Sequence, residues 1–107
     1  MANTYKNAKV DLTSTGNITV YTCPTGAIAI IKSILVSEDS NNSDTITITL
    51  TDASGGIFSV FKEKAISAKQ TIELLTSPMV LNAGDILKTQ AATANRLHVI
   101  VSILEVS

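Results

Sequence analysis

Residues Asp44–Leu50, "DTITITL", alternate a hydroxyl or an acid with an aliphatic side chain almost without error. Successive side chains of a strand point to opposite faces, so Ile46, Ile48 and Leu50 share one face. Thr45, Thr47, Thr49 and Thr51 share the other. This is the pattern of an antiparallel strand that is half buried and half wet. β-Branched residues dominate it, and they favour the pleated conformation. Clusters of turn formers bound it, "EDSNNSD" before and "DASGG" after.

The neighbouring segments follow the same logic. "NITVYT" sets Ile18 and Val20 together and ends at the break "CPTG". "AIAIIKSILVSE" is a longer strand, with Ile28 and Ile30 on one face and Ile34 and Val36 continuing it. Lys32 interrupts that face while Ile31 sits opposite. A bulge near Ile31–Lys32 accounts for the interruption, and so does a bend where the strand crosses between sheets. "GIFSVF" follows the Gly55–Gly56 turn as the hairpin partner of the opening strand. "TIELL", "MVL" and "DILKT" are short strands separated by "TSP" and "NAGD". The closing "RLHVIVSILEV" carries Leu97, Val99, Val101 and Ile103 on one face. Ile100, Leu104 and Val106 lie on the other, so this strand is expected to be covered on both sides or central to an assembly. Those three residues are the candidate interface.

One segment reads two ways. In "FKEKAISAKQTIELL", Phe61, Ala65, Ala68, Ile72 and Leu75 recur at helical spacing. A lone helix would need a sheet face to cover, and Ile72 with Leu74 also fits a strand; the expectation is a loop followed by a strand. About eight short strands at regular intervals indicate one antiparallel β-sandwich of Greek-key or jelly-roll type. Residues 1–107 form a single domain, with 1–7 a candidate extended N-terminal arm.

The 107 residues suffice for one such core without metals or disulfides. Hydrophobic residues make up 45% of the chain but aromatics only 4%, so the core is expected to be Ile, Val, Leu and Ala. The formal charge is −1 with no block of like sign, which leaves no electrostatic footprint for nucleic acid or anionic lipid. "MANTYKNAKVDL" lacks the apolar core of a signal peptide, and no stretch is long enough for a membrane span. Synthesis and retention in a cytoplasm, or release from one by lysis, is the expectation.

Reactive groups are sparse. His98 stands mid-strand with no neighbouring signature of a carboxylate or nucleophile, and reads as a half-buried or interface imidazole. Cys23 is the single cysteine, which excludes an intrachain disulfide and a multi-cysteine zinc site. No basic residue lies near it to activate the thiol, so it reads as a packed side chain, with an interchain contact left open. Glu38, Asp39 and Asp44 flank "SNNS" and offer oxygens of the kind Ca²⁺ takes, but the loop lacks EF-hand spacing and reads as a hairpin turn. "NAGD" and "SGG" are turns, not phosphate cradles. Asn41 opens an N-x-S sequon, which matters only in a secreted eukaryotic protein. No catalytic residue, cofactor or metal is expected.

Taken as one unit, "VYTCPTGAIAIIKSILVSEDSNNSDTITITL" resembles small virion structural proteins of tailed bacteriophages, of the kind met in cyanophages. Their pattern is a short strand, a Pro/Gly turn such as Cys23–Gly26, a long aliphatic strand, a polar loop and an alternating Thr/aliphatic strand. The close "SPMVLNAGDILKTQAATANRLHVIVSILEV" is similar to the same family's ending, and the likeness spans residues 8 to 106. The resemblance implies a non-enzymatic virion protein made in the host cytoplasm. Its first expectation is a capsid decoration or cement protein on the head lattice, self-associating (for instance as a trimer) and contacting the major capsid protein. It also admits, as the alternative, a neck, tail or fibre-base component. A carbohydrate-binding module is the alternative from another class. It would need aromatic platforms, and the chain offers only Tyr5, Tyr21, Phe58 and Phe61, of which the two phenylalanines are expected in the core.

Overall fold

The computed structural model describes residues 2–107. Its elements are β1 (Asn3–Asp11), β2 (Ile18–Thr22), β3 (Ile28–Glu38), β4 (Asp44–Thr51), β5 (Ile57–Ile66), β6 (Thr71–Glu73), β7 (Met79–Leu81), β8 (Ile86–Ala91) and β9 (Leu97–Val106). One sheet, A, runs β1-β9-β3-β6, with β7 also paired to β3; the other, B, runs β2-β8-β4-β5. Every pairing is antiparallel. Consecutive strands alternate between sheets except at the β4–β5 hairpin and where β6 and β7 both return to β3. Those two short strands together fill one strand position, so the nine strands occupy the eight positions of a jelly roll. Pro78 lies between them, where its missing N–H cannot serve the ladder.

The inserted residue in β3 is a bulge. Ile31 pairs with Ile103, the register shifts, and Ser33 pairs with Ser102, so Lys32 is extra and points to solvent. β3 stays within sheet A and does not cross to the other sheet. The bulge also corrects the expected facing. Ala29 and Ile31 before it and Ile34 and Val36 after it are all fully buried, while Ile28 and Ile30 face outward. Glu73 holds the distortion in place. Its carboxylate accepts the Ile34 N–H at 2.8 Å, the Leu75 N–H at 3.1 Å and the Ser33 hydroxyl. Burial works against the charge of Glu73, but these donors outweigh it and hold the pKa below the ordinary carboxylate value.

Three further expectations change. The segment 61–66 is strand, the second half of β5, not a loop; the strand at Ile72 is present and no helix forms. The charged run Lys62–Lys64 lies on a sheet edge, where it needs no helix to expose it. Phe58 is 57% exposed near the β4–β5 hairpin tip, outside the core, and only Phe61 packs against it. The expected arm becomes part of the sandwich: residues 3–7 are extended and paired with β9, and Met1 lies outside the described residues.

The core is aliphatic. Ile46, Ile48, Leu87, Val99, Val101 and Ile103 are buried from both sheets, and no aromatic side chain is fully buried among them. The "NAGD" turn closes one end. Gly84 has φ of +88°, and a Cβ there would meet the Ala53 Cβ at 2.9 Å, so only glycine lets the β7–β8 turn nest against the hairpin tip. Ile48→Ala deletes a fully buried side chain and should cost about 2–5 kcal/mol by transfer and cavity terms. Chemical denaturation measures this, and a loss below about 1 kcal/mol would show that the inner face of β4 is misassigned.

Candidate interaction surface

The register of sheet A sets side chains in lines across its outer face. Tyr5 on β1 pairs with Leu104 on β9, Leu104 with Ile30 on β3, and Ile30 with Val80 on β7. Val106 and Ile28 form the adjacent line, beginning at Asn3. A polar line of Asn7, Ser102 and Ser33 crosses at the bulge. Beyond it Ile100 pairs with Leu35, between Lys9 and Glu73. Tyr5 is 76% exposed, Val80 53%, Ile28 49% and Ile100 43%. Leu104, Val106 and Ile30 are half-buried.

Ile100, Leu104 and Val106 thus lie on one open face. Sequence reasoning missed the rest of it, Tyr5, Ile28, Ile30, Leu35 and Val80. Ile28 and Ile30 gave a signal, but without the bulge they read as inward. Tyr5 and Val80 sit in segments too polar or too short to show which face they take.

The outer face of sheet B differs in kind. The threonines of β4 lie there half-buried. Beside them a groove of about 320 Å³ runs between Thr45, Thr47, Lys62, Glu63 and Gln90. The Glu63 N–H donates to the Thr47 hydroxyl at 3.0 Å, and β5 is displaced by two register shifts.

At the far end of the sheet A face, His98 gains the carboxylates its local sequence lacks. Its Nε2 is 3.2 Å from Asp11 on β1, and its Nδ1 is 3.5 Å from Asp39 beyond β3. Both partners are distant in sequence, so no local motif could show them. Ser37 is the cross-strand neighbour of His98, but both ring nitrogens are turned to carboxylates and neither is placed to take the serine proton. The arrangement orients the ring without providing an acyl-transfer relay.

The loop carboxylates do not converge. Glu38 accepts the N–H groups of Ser40 (2.8 Å), Asn42 (3.2 Å) and Lys69 (2.9 Å) together with the Ser40 hydroxyl, and so ties loop 39–43 to the β5–β6 turn. Asp44 accepts the Thr93 N–H at 3.1 Å, and Asp39 faces His98. Among the described residues no group of three or more His, Cys, Asp or Glu side chains is arranged to hold a metal ion.

Cys23 is buried, with its sulfur 3.5 Å from the Ala27 carbonyl and 3.6 Å from that of Leu81. Burial pushes its pKa up, and in this setting the thiol packs against its own chain and does not face a neighbour. Tyr21 on sheet B donates to Glu105 on sheet A at 2.5 Å, and Lys6 meets the same oxygen at 3.0 Å. Burial, then the Glu105 hydrogen bond, raises the Tyr21 pKa well above its ordinary value, so the hydroxyl remains a donor and clasps the two sheets. The two most exposed aromatics, Tyr5 and Phe58, lie on different sheets and form no shared platform for a sugar ring.

No protein-family model matches the sequence, and no curated protein matches it. Among solved structures the chain is similar to Eiger TNF from S. frugiperda, at 12% identity and a TM-score of 0.44, over 96% of this chain and 93% of that one. So distant a likeness carries no argument; the jelly roll rests on strand order and register. No helix among the described residues is long and apolar enough to cross a membrane.

The Glu38 knot makes a pH prediction. Burial opposes its charge, but the donors around it win and lower its pKa from 4.5 to about 2. A depressed folded pKa adds stability that is complete above the unfolded value and is lost as pH falls through the folded one. The difference in melting temperature between the parent and Glu38→Gln should therefore be largest near pH 6 and close as pH approaches about 2. A gap that persists unchanged at pH 2 would mean that the loops do not depend on the charge.

Proposed function

We propose that this protein is a non-enzymatic structural subunit of a tailed-phage virion, a decoration or cement protein that binds the head lattice and associates with copies of itself. The resemblance of its strand-and-turn pattern supports the phage setting. One observation carries the contact: the apolar lines on the outer face of sheet A, Tyr5–Leu104–Ile30–Val80 and Val106–Ile28, with no layer over them among the described residues. Contiguous exposed apolar surface of this kind marks interaction sites. Four strand positions and about nine residues of strand give a face of roughly 19 by 30 Å, on the order of 600 Å² in plan. That approaches the roughly 800 Å² each partner contributes to a standard interface. Many copies on a repeating lattice would then hold by avidity with modest affinity per site.

A neck, tail or fibre-base position would use the same face, and immuno-electron microscopy separates the two. Antibody on the head supports the decoration role, and antibody on the tail alone ends it.

The chemistry of the face also predicts how it lets go. Its charges are few and mixed, Lys9 and Lys32 against Asp11 and Glu73, and the whole chain carries only −1. Retention on particles should change little between about 0.05 and 0.5 M NaCl, although the Debye length falls from about 14 to 4 Å. Moderate urea, which solvates apolar and peptide groups, should strip the protein first. Release by NaCl alone with retention in low-salt urea would identify an electrostatic contact instead.

A further inference from the structure

The four sheet edges are unequally guarded. β5 is bent by two register shifts, carries Lys62, Glu63 and Lys64, and has Glu63 at φ of 50°. β2 is five residues long with a shift of its own, and β6 and β7 have three residues each. Bulges, charges and shortness are the usual protections of an edge. β1 has none of the first and little of the second. It runs nine residues in unbroken register with β9, and Lys6 is drawn inward to Glu105 at 3.0 Å, which leaves Lys9 as its one outward cation.

The ladder shows which backbone groups are free. Ala2 and Ser107 exchange both hydrogen bonds, at 2.6 and 2.9 Å, and the Leu12 N–H donates to the Leu97 carbonyl at 3.0 Å. Bonded and non-bonded pairs alternate in an antiparallel ladder, so even-numbered residues of β1 bond to β9. The N–H and C=O groups of Asn3, Tyr5, Asn7 and Lys9 therefore point away from the sheet. The side chains of these same residues lie on the outer face. The edge ends at Asp11, whose carbonyl already accepts the Thr13 N–H at 2.9 Å.

We propose that β1 pairs with β1 of a second copy, antiparallel about a two-fold axis at Asn7, to make one continuous sheet from two sheets A. The sequence of the edge is self-complementary in that register. Asn7 meets Asn7 of the second copy, Tyr5 meets its Lys9, and Asn3 meets its Asp11. No like charges stand opposite, and each Lys9 lies beside an aromatic ring. Centring on Lys9 would oppose two lysines, and centring on Tyr5 would shorten the overlap. The chosen register forms about six backbone hydrogen bonds over residues 5–9. It also brings the apolar lines of both copies onto one extended surface. This deepens the self-association part of the function proposed above, and it gives a two-fold dimer where the resemblance implies only a self-associating protein, with a trimer as one instance.

Cross-linking and a backbone variant test it together. In a bonded antiparallel pair the Cα atoms lie about 5.5 Å apart, within disulfide range. Mild oxidation of Asn7→Cys should therefore give a covalent dimer. Lys9→Cys should not, because those two sites would be about 13 Å apart. Cys23 is buried and should not compete. Asn7→Pro removes only an outward N–H, so it should keep the parent fold by circular dichroism and sediment as a monomer where the parent is a dimer at tens of micromolar. A dimer that survives Asn7→Pro but is lost in Val80→Glu would overturn the edge pairing and leave association through the face. A parent chain that sediments as a monomer or a trimer, or equal cross-linking at both positions, would also overturn it.

Discussion

The pairing of β3 with β9 at the centre of sheet A governs the rest of the structure, because one inserted residue decides which way half of β3 faces. β9 presents Leu97, Val99, Val101 and Ile103 to the core in strict alternation. β3 must match it along its length, yet its inward residues, Ala29, Ile31, Ile34 and Val36, fall out of alternation after Ile31. Without a bulge, a period of two would turn either the first pair or the second outward. Expelling Lys32 restores both. The freed Ile34 N–H must then find an acceptor, and the Glu73 carboxylate takes it, at the point where β6 ends. A bulge, a broken strand and a hydrogen-bonded acid are thus one local solution.

The outer face follows from the same event. Once Ala29 and Ile31 are inward, Ile28 and Ile30 must be outward, in line with Val106, Leu104 and Tyr5. The face combines one strand's clean alternation with another's interruption. Sheet B has no such consequence, since β4 alternates regularly and puts threonine on its outer side. The sandwich therefore has one hydroxyl-rich side with a guarded edge and one apolar side with an open edge, an asymmetry suited to a subunit that attaches by one surface.

Where alternation was clean, sequence reasoning reached the fold: β4, β9, the hairpin after Gly55 and the interruption at Lys32. It failed where the period was ambiguous or the evidence was remote. β1 reads as polar because its outer side chains are mostly hydrophilic and its inner ones small, Ala8 and Val10. The helical spacing of Phe61, Ala65, Ala68, Ile72 and Leu75 is fortuitous, since Ala65 and Ala68 are exposed on the edge strand and in the turn after it. Phe58 reads as core by its type, but β5 carries it to the exposed hairpin end. The carboxylates beside His98 and the Tyr21–Glu105–Lys6 clasp join strands far apart in the chain, and only the register brings them together.

The claim that the outer face of sheet A is the contact surface is most directly tested by hydroxyl-radical footprinting of the protein on particles and after release. Tyr5, Ile28 and Val80 should lose reactivity on the particle, while Ile57 and Phe58, equally open on the other sheet, should keep theirs. Protection of Ile57 and Phe58 with Tyr5, Ile28 and Val80 unchanged would contradict the account.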